Sequence, residues 1–209
     1  MKKTLSILLA LLLTGMLAAC GNDITNDSVL ETAPPESQME ETTTSEAEPP
    51  TAELISTEPE FDLDAGTVTL NNGVSMPILG IGTFALSDSE AEESVYWALR
   101  DGYRLIDTAR IYGDEAGVGR AIRRAIDEGL VTREEIFVTT KMWTSDYGNG
   151  DAAINASLER LGLDYIDLMI LHHSQPENDV AAYKAMEQAV ADGRLKAIGL
   201  SNYYDPDDF

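Results

Sequence analysis

The chain has 209 residues, with 14 Lys or Arg against 37 Asp or Glu and a net charge of −23. That length suits one domain, or one domain with a tail, and the charge argues against nucleic acid as a partner, since neutralising phosphates takes a basic surface. A single cysteine, Cys20, excludes an internal disulfide framework and any cysteine-based zinc site.

Lys2 and Lys3 precede an apolar run from Leu5 to Leu17 that only Ser6, Thr14 and Gly15 interrupt. A membrane span takes about 20 apolar residues, so the run is expected to be an export signal. It ends in "LAAC" (17–20), which resembles the lipobox of bacterial lipoproteins. That resemblance implies that residues 1–19 are a lipoprotein signal peptide and that Cys20 is acylated. The chain is then expected to be exported and lipid-anchored to the outer face of a bacterial membrane. An ordinary secretory signal with a chance cysteine is the alternative. No Arg-Arg pair precedes the run, which favours export as an unfolded chain. From residue 21 to 64 there are thirteen Asp or Glu and no Lys or Arg. The stretch is rich in Pro, Thr and Ser and lacks apolar periodicity, so residues 20–64 are expected to be an acidic, disordered tether. Mutual repulsion would keep it extended; an acidic interaction tail is the functional alternative.

The folded part is placed at 65–209. "TVTLNNGVSMP" gives two alternating runs around Asn72-Gly73, a β-hairpin signal. Strand-like runs then follow at 78–82, 104–108, 136–141, 167–172 and 195–202. Helical patterns lie between them, near 89–100, 115–128, 151–161 and 179–192. Ser89, Asp114, Asp151 and Asp179 are the expected N-caps, and Gly102 and Gly193 stand where glycines follow helix ends. Thr132 and Glu135 have capping-box spacing before the third strand. Alternation at this rhythm predicts parallel βαβ units.

The strands end in polar residues. Asp107 closes the second, with Tyr112 five residues on; Lys141 closes the third, His172 the fourth, and Ser201-Asn202 the fifth. Successive parallel strands bring their carboxyl ends to one face, as a (β/α)₈ barrel does when it builds an active site. A doubly wound sheet also binds ligands at strand ends, but no G-x-G-x-x-G follows the first strand. The residue types suit one chemistry. A tyrosine hydroxyl titrates near pH 10 when unperturbed, and a neighbouring ammonium favours its phenolate. A carboxylate holds that ammonium in place, and a neutral histidine can orient a carbonyl by a hydrogen bond. Together they suit protonation of a carbonyl oxygen as hydride arrives.

The chain resembles the aldo-keto reductases. "GYRLIDTARIYGDEAGVGRAI" (102–122), "FVTTKMW" (137–143), "LERLGLDYIDLMILH" (158–172) and "AIGLSNY" (197–203) are similar to that family's ordered motifs. The resemblance implies an α/β fold, a (β/α)₈ TIM barrel of which about five of eight strands are present, behind an N-terminal β-hairpin. It implies an NAD(P)H-dependent oxidoreductase that reduces an aldehyde or ketone, with NADPH as cofactor and NADH as the alternative. The implied catalytic residues are Asp107, Tyr112, Lys141 and His172. Thr83, Asp107, Ser201 and Asn202 would contact the cofactor, and Phe84, Trp143 and His173 would line the substrate pocket. No metal is expected: adjacent strand residues face opposite sides, so His172 and His173 should not chelate one ion. A metal-dependent barrel hydrolase is disfavoured for lack of ligands. The expected partners are a small carbonyl substrate, the membrane through Cys20, and a second copy if the incomplete barrel self-associates. By the resemblance the chain stops before the segment that grips the cofactor's adenosine and pyrophosphate. The alternative function is therefore an inactive, surface-displayed binding module, or a gene fragment.

Overall fold

The computed structural model describes residues 59–205. The export signal, Cys20 and most of the expected tether lie outside the described residues.

A small antiparallel sheet comes first, with β1 at Glu60–Asp62, β2 at Thr67–Thr69 and β3 at Ser75–Pro77, in the order β1-β2-β3. The expected hairpin is β2-β3, registered Thr67↔Pro77 and Thr69↔Ser75. Its turn is closed by Gly73 N–H to Leu70 O and Leu70 N–H to Val74 O, both 2.8 Å. Gly73 takes φ 83°, in the left-handed region a side chain resists. The hairpin is not alone: β1 pairs antiparallel with β2. Because β1 falls inside the stretch expected as tether, folded structure begins at least as early as residue 60.

Five parallel strands follow: β4 (Gly80–Gly82), β5 (Leu105–Asp107), β6 (Phe137–Met142), β7 (Ile166–Leu171) and β8 (Leu195–Leu200), in the order β4-β5-β6-β7-β8. Between them run α1 (Asp88–Arg100), α2 (Glu115–Asp127), α3 (Gly150–Leu161) and α4 (Asp179–Ala191). Three 3₁₀ turns interrupt the connections: η1 (Arg110–Tyr112), η2 (Arg133–Glu135) and η3 (Thr144–Asn149). Strand order follows chain order without reversal. A doubly wound sheet reverses at a switch point, so the progression is that of a (β/α)₈ barrel.

One apolar core joins the sheet to the helices. Val95 and Leu99 of α1 share one buried cluster with Ile106 of β5, Val118 and Ile122 of α2, and Val138 of β6. Ile154, Met169 and Met186 continue the core through α3, β7 and α4. Helix α2 sits close to both neighbours because Gly117 and Gly119 have no side chains; a Cβ would collide with the carbonyl of Asp88 in α1 at the first and with that of Leu161 at the end of α3 at the second.

The helix starts differ from expectation. Ser87, not Ser89, caps α1 in a capping box: Glu90 N–H donates to Ser87 Oγ (3.3 Å) and Ser87 N–H donates to Glu90 Oε2 (2.8 Å). Asp151 lies one residue inside α3, whose N-cap is Asn149, and Asp179 is the first residue of α4, whose N-cap is Asn178. Asp114 holds the N-cap position of α2 but makes no side-chain cap bond. Thr132 and Glu135 do form a capping box, on η2. Gly102 and Gly193 follow α1 and α4 with φ of 98° and 79°.

Candidate active site

Asp107 is the last residue of β5, Lys141 the next to last of β6, and His172 the first beyond β7. Tyr112 closes η1, whose turn Gly113 ends at φ 78°. Lys141 is the hub. Its Nζ donates to Asp107 Oδ2 at 2.7 Å and Oδ1 at 2.9 Å, to the Thr108 carbonyl at 3.0 Å, and to the Tyr112 hydroxyl at 3.4 Å. The side chain of Lys141 is 10% exposed and that of Asp107 41%. The ammonium is thus enclosed, while the carboxylate that pairs it faces the open side.

His172 stands edge-on to Tyr112, ring centroids 5.8 Å apart. Burial, with the Lys141 ammonium and then His173 adding to it, pulls its pKa from the usual imidazole value down to about 4. The ring is therefore neutral at pH 7. Its Nδ1 is enclosed without a hydrogen-bond partner, so Nε2 is the nitrogen left for a ligand. Asn202, in the left-handed region at φ 58°, donates from Nδ2 to the His172 carbonyl at 2.8 Å.

Aromatic rings border this tetrad of Asp107, Tyr112, Lys141 and His172. Phe84, 74% exposed, meets Tyr112 edge-on at 5.2 Å. Trp143 meets His172 at 5.2 Å and His173 at 5.3 Å. The two histidine rings stack, 5.1 Å apart and 10° from parallel. Strand alternation does not separate them, because β7 ends at Leu171 and both residues lie in the loop beyond it. Among the described residues no three His, Cys, Asp or Glu gather as a metal site. The Tyr147 hydroxyl fixes the backbone of His173, donating to its carbonyl at 2.8 Å and accepting from its N–H at 3.3 Å.

Thr83 stands apart from the other expected contacts. It is fully buried, and its N–H and hydroxyl both point at the Asp107 carbonyl, at 3.0 and 3.4 Å. In this conformation it supports the strand end and offers a ligand no surface. Two recesses lie away from these side chains. One of about 460 Å³ opens beside Gly66, Leu79 and Tyr103, and one of about 390 Å³ beside Arg110, Asn149 and Arg160.

A family model described as the aldo/keto reductase family matches residues 77–208. The chain belongs to the aldo/keto reductase family. Glyoxal reductase of Bacillus subtilis is 46% identical over 140 residues, covering 66% of this chain and 49% of the relative. Morphine 6-dehydrogenase of Pseudomonas putida is 47% identical over 144 residues, covering 66% and 47%. The crystal structure of a Bombyx mori aldo-keto reductase in complex with NADP superposes with a TM-score of 0.59 at 39% identity, covering 64% of this chain and 49% of that one. The chain spans about half the length of the curated relatives it matches.

Within this aldo/keto reductase chain, sequence reasoning missed the buried polar groups behind the tetrad. Glu115 accepts from Thr140 Oγ1 at 2.7 Å and from Arg160 Nε at 2.6 Å. Asp114 accepts from Thr108 Oγ1 at 2.6 Å. Two consecutive carboxylates at a helix start read as cap and dipole partners, and nothing in their spacing points to one threonine just past β5 and another within β6.

Proposed function

We propose that the chain carries the proton-relay half of an NAD(P)H-dependent carbonyl reductase, with an aldehyde or ketone as substrate. The observation that carries this is the position of Lys141 Nζ, bonded at once to the Asp107 carboxylate and the Tyr112 hydroxyl. Tyr112 holds the proton that the carbonyl oxygen takes up. Lys141 stabilises the phenolate left behind, and Asp107 keeps the ammonium charged and aimed. The neutral His172 ring orients the same oxygen through Nε2, since a neutral imidazole can still donate one hydrogen bond. Phe84, Trp143 and His173 border the approach to Tyr112 and favour a small carbonyl compound with an apolar face. Glyoxal is a reasonable first substrate because one relative is a glyoxal reductase.

A nicotinamide cofactor bound here supplies the hydride, and NADP is the form held by the Bombyx mori relative. Asp107, Ser201 and Asn202 are the residues to hold its nicotinamide end. Both Asn202 amide donors are engaged, by the His172 carbonyl and Ser201 Oγ, and Oδ1 accepts from Tyr204. That leaves one lone pair on Asn202 Oδ1 and the Ser201 hydroxyl proton. One acceptor and one donor match the amide group of a nicotinamide.

The test is NADPH oxidation by the purified chain with glyoxal, alongside cofactor binding followed by fluorescence. Tyr112→Phe is expected to lower turnover on the order of 10²–10⁴-fold while cofactor binding is kept. Unchanged turnover in the variant, or none in the parent, contradicts the proposal.

Attachment of this activity to a membrane rests on "LAAC" at residues 17–20. Two or more acyl chains on Cys20 would suffice for stable anchoring at about 0.8 kcal/mol per buried CH₂. Labelling cells with a fatty-acid analogue is expected to mark the parent and not Cys20→Ser; equal labelling contradicts lipidation at that residue.

A further inference from the structure

The loop that carries Tyr112 leaves β5 at Thr108 and rejoins regular structure at Asp114, just before α2. An aspartate at that position ordinarily caps its helix. Asp114 is fully buried and does not: Oδ1 accepts from Thr108 Oγ1 at 2.6 Å, and Oδ2 is enclosed with no partner. An enclosed, unsatisfied carboxylate oxygen costs stability, and the cap bond is lost as well. What the molecule keeps in exchange is the closure of the loop at its base. The next residue, Glu115, is 1% exposed and reaches the neighbouring strand, where Oε1 accepts from Thr140 Oγ1 at 2.7 Å. Its charge is balanced by Arg160 of α3, whose Nε lies 2.6 Å from Oε2.

The two threonines occupy matching places. Thr108 follows Asp107, and Thr140 precedes Lys141. Thr140 turns its hydroxyl to Glu115 of α2 while Lys141 beside it turns to Asp107, and Thr108 turns its hydroxyl to Asp114 while Asp107 beside it turns to Lys141. Thr108 is held from both sides, its hydroxyl by Asp114 and its carbonyl by Lys141 Nζ at 3.0 Å. We infer that Asp114 and Glu115 are positioning residues: a pair of consecutive carboxylates that closes the Tyr112 loop and ties it to the Lys141 strand, fixing the Tyr112 hydroxyl against Lys141 Nζ. The structural part of this clamp stands on geometry alone; its kinetic part rests on Tyr112 as the proton donor.

The clamp is tested from the threonine side. Tyrosine rings are labelled with ¹³C, and the signals of Tyr112 are assigned by their loss in Tyr112→Phe. In the parent that ring gives contacts to Phe84 and His172, whose centroids lie 5.2 and 5.8 Å away. Thr140→Val keeps the shape and removes the hydroxyl, so these contacts weaken or vanish; Thr140→Ser restores the hydroxyl and the contacts. In turnover, Thr140→Val lowers kcat on the order of 10²-fold, the scale of a misplaced catalytic group, with cofactor binding unchanged. In a Tyr112→Phe background it has no further effect. Thr108→Val cuts only the Asp114 arm and gives the same pattern should Thr140→Val fail to fold. Intact Tyr112 ring contacts in the folded valine variants overturn the inference, as does a kcat loss that persists in Tyr112→Phe. If the parent shows no turnover, the reductase proposal fails, and the ring contacts still decide the clamp.

Discussion

Because burial holds the His172 pKa at about 4, against 6.5 for a free imidazole, this side chain makes folding sensitive to acid. Between those two values the unfolded chain binds a proton that the folded chain does not. Stability contributed by the neutral ring is complete above about pH 6.5 and is lost as pH falls toward 4. Urea denaturation at pH 7.5 and pH 5 is expected to show a larger loss for the parent than for His172→Gln. Equal losses would mean that the imidazole is not held neutral by its surroundings. The gathering of Asp107, Tyr112, Lys141 and His172 was legible at this scale, since each stands at or just past a strand end and the spacing from Asp107 to Tyr112 is short. The orientation of the histidine pair was not. Alternation applies only within a strand, and nothing in "LMILHHSQP" marks Leu171 as the last strand residue.

Among the elements, β7 is fastened by one carboxylate. Asp167 Oδ2 accepts from the Val138 N–H of β6 at 3.0 Å and from Arg133 Nη2 at 2.7 Å, and Oδ1 lies 3.0 Å from Lys196 Nζ of β8. Arg133 and Lys196 also flank the Tyr165 ring, at 3.9 and 4.0 Å. Removing this carboxylate leaves a largely buried guanidinium without its counter-charge and a buried amide without its acceptor. Asp167→Ala is expected to cost about 3–5 kcal/mol in urea denaturation; a loss below about 1 kcal/mol, the scale of a surface ion pair, contradicts that role. The five parallel strands and four helices fall within a residue or two of where apolar periodicity puts them. The caps were read less well. Ser87 rather than Ser89 is the cap, and the signal for it is Glu90, three residues after Ser87 as a capping box requires. Asp114 and Asp179 were assigned to helix ends, but their carboxylates meet tertiary partners: Thr108 for the first, and Gln175 N–H and the Tyr203 hydroxyl for the second. β1 escaped because "EFD" sits at the end of an acidic run and shows no alternation longer than three residues.

In the whole molecule, the proposed proton relay would draw on β5, β6 and β7, each flanked by a strand on both sides. The Ser201-Asn202 pair follows β8, which among the described residues pairs only with β7. The strands that carry Asp107, Lys141 and His172 are thus held on both edges, and the strand before Ser201-Asn202 on one. Variants of Tyr112, Lys141 and the clamp should act on the chemical step, and changes near β8 on cofactor affinity. The most direct measurement is transfer of deuterium from NADPH labelled at C4 to an aldehyde, with the alcohol product read by mass spectrometry for the parent and for Tyr112→Phe. The expected result is a C–D alcohol from the parent and a yield on the order of 10²–10⁴-fold lower from the variant. Label absent from the parent's product, or transferred equally by both proteins, would contradict carbonyl reduction at this site.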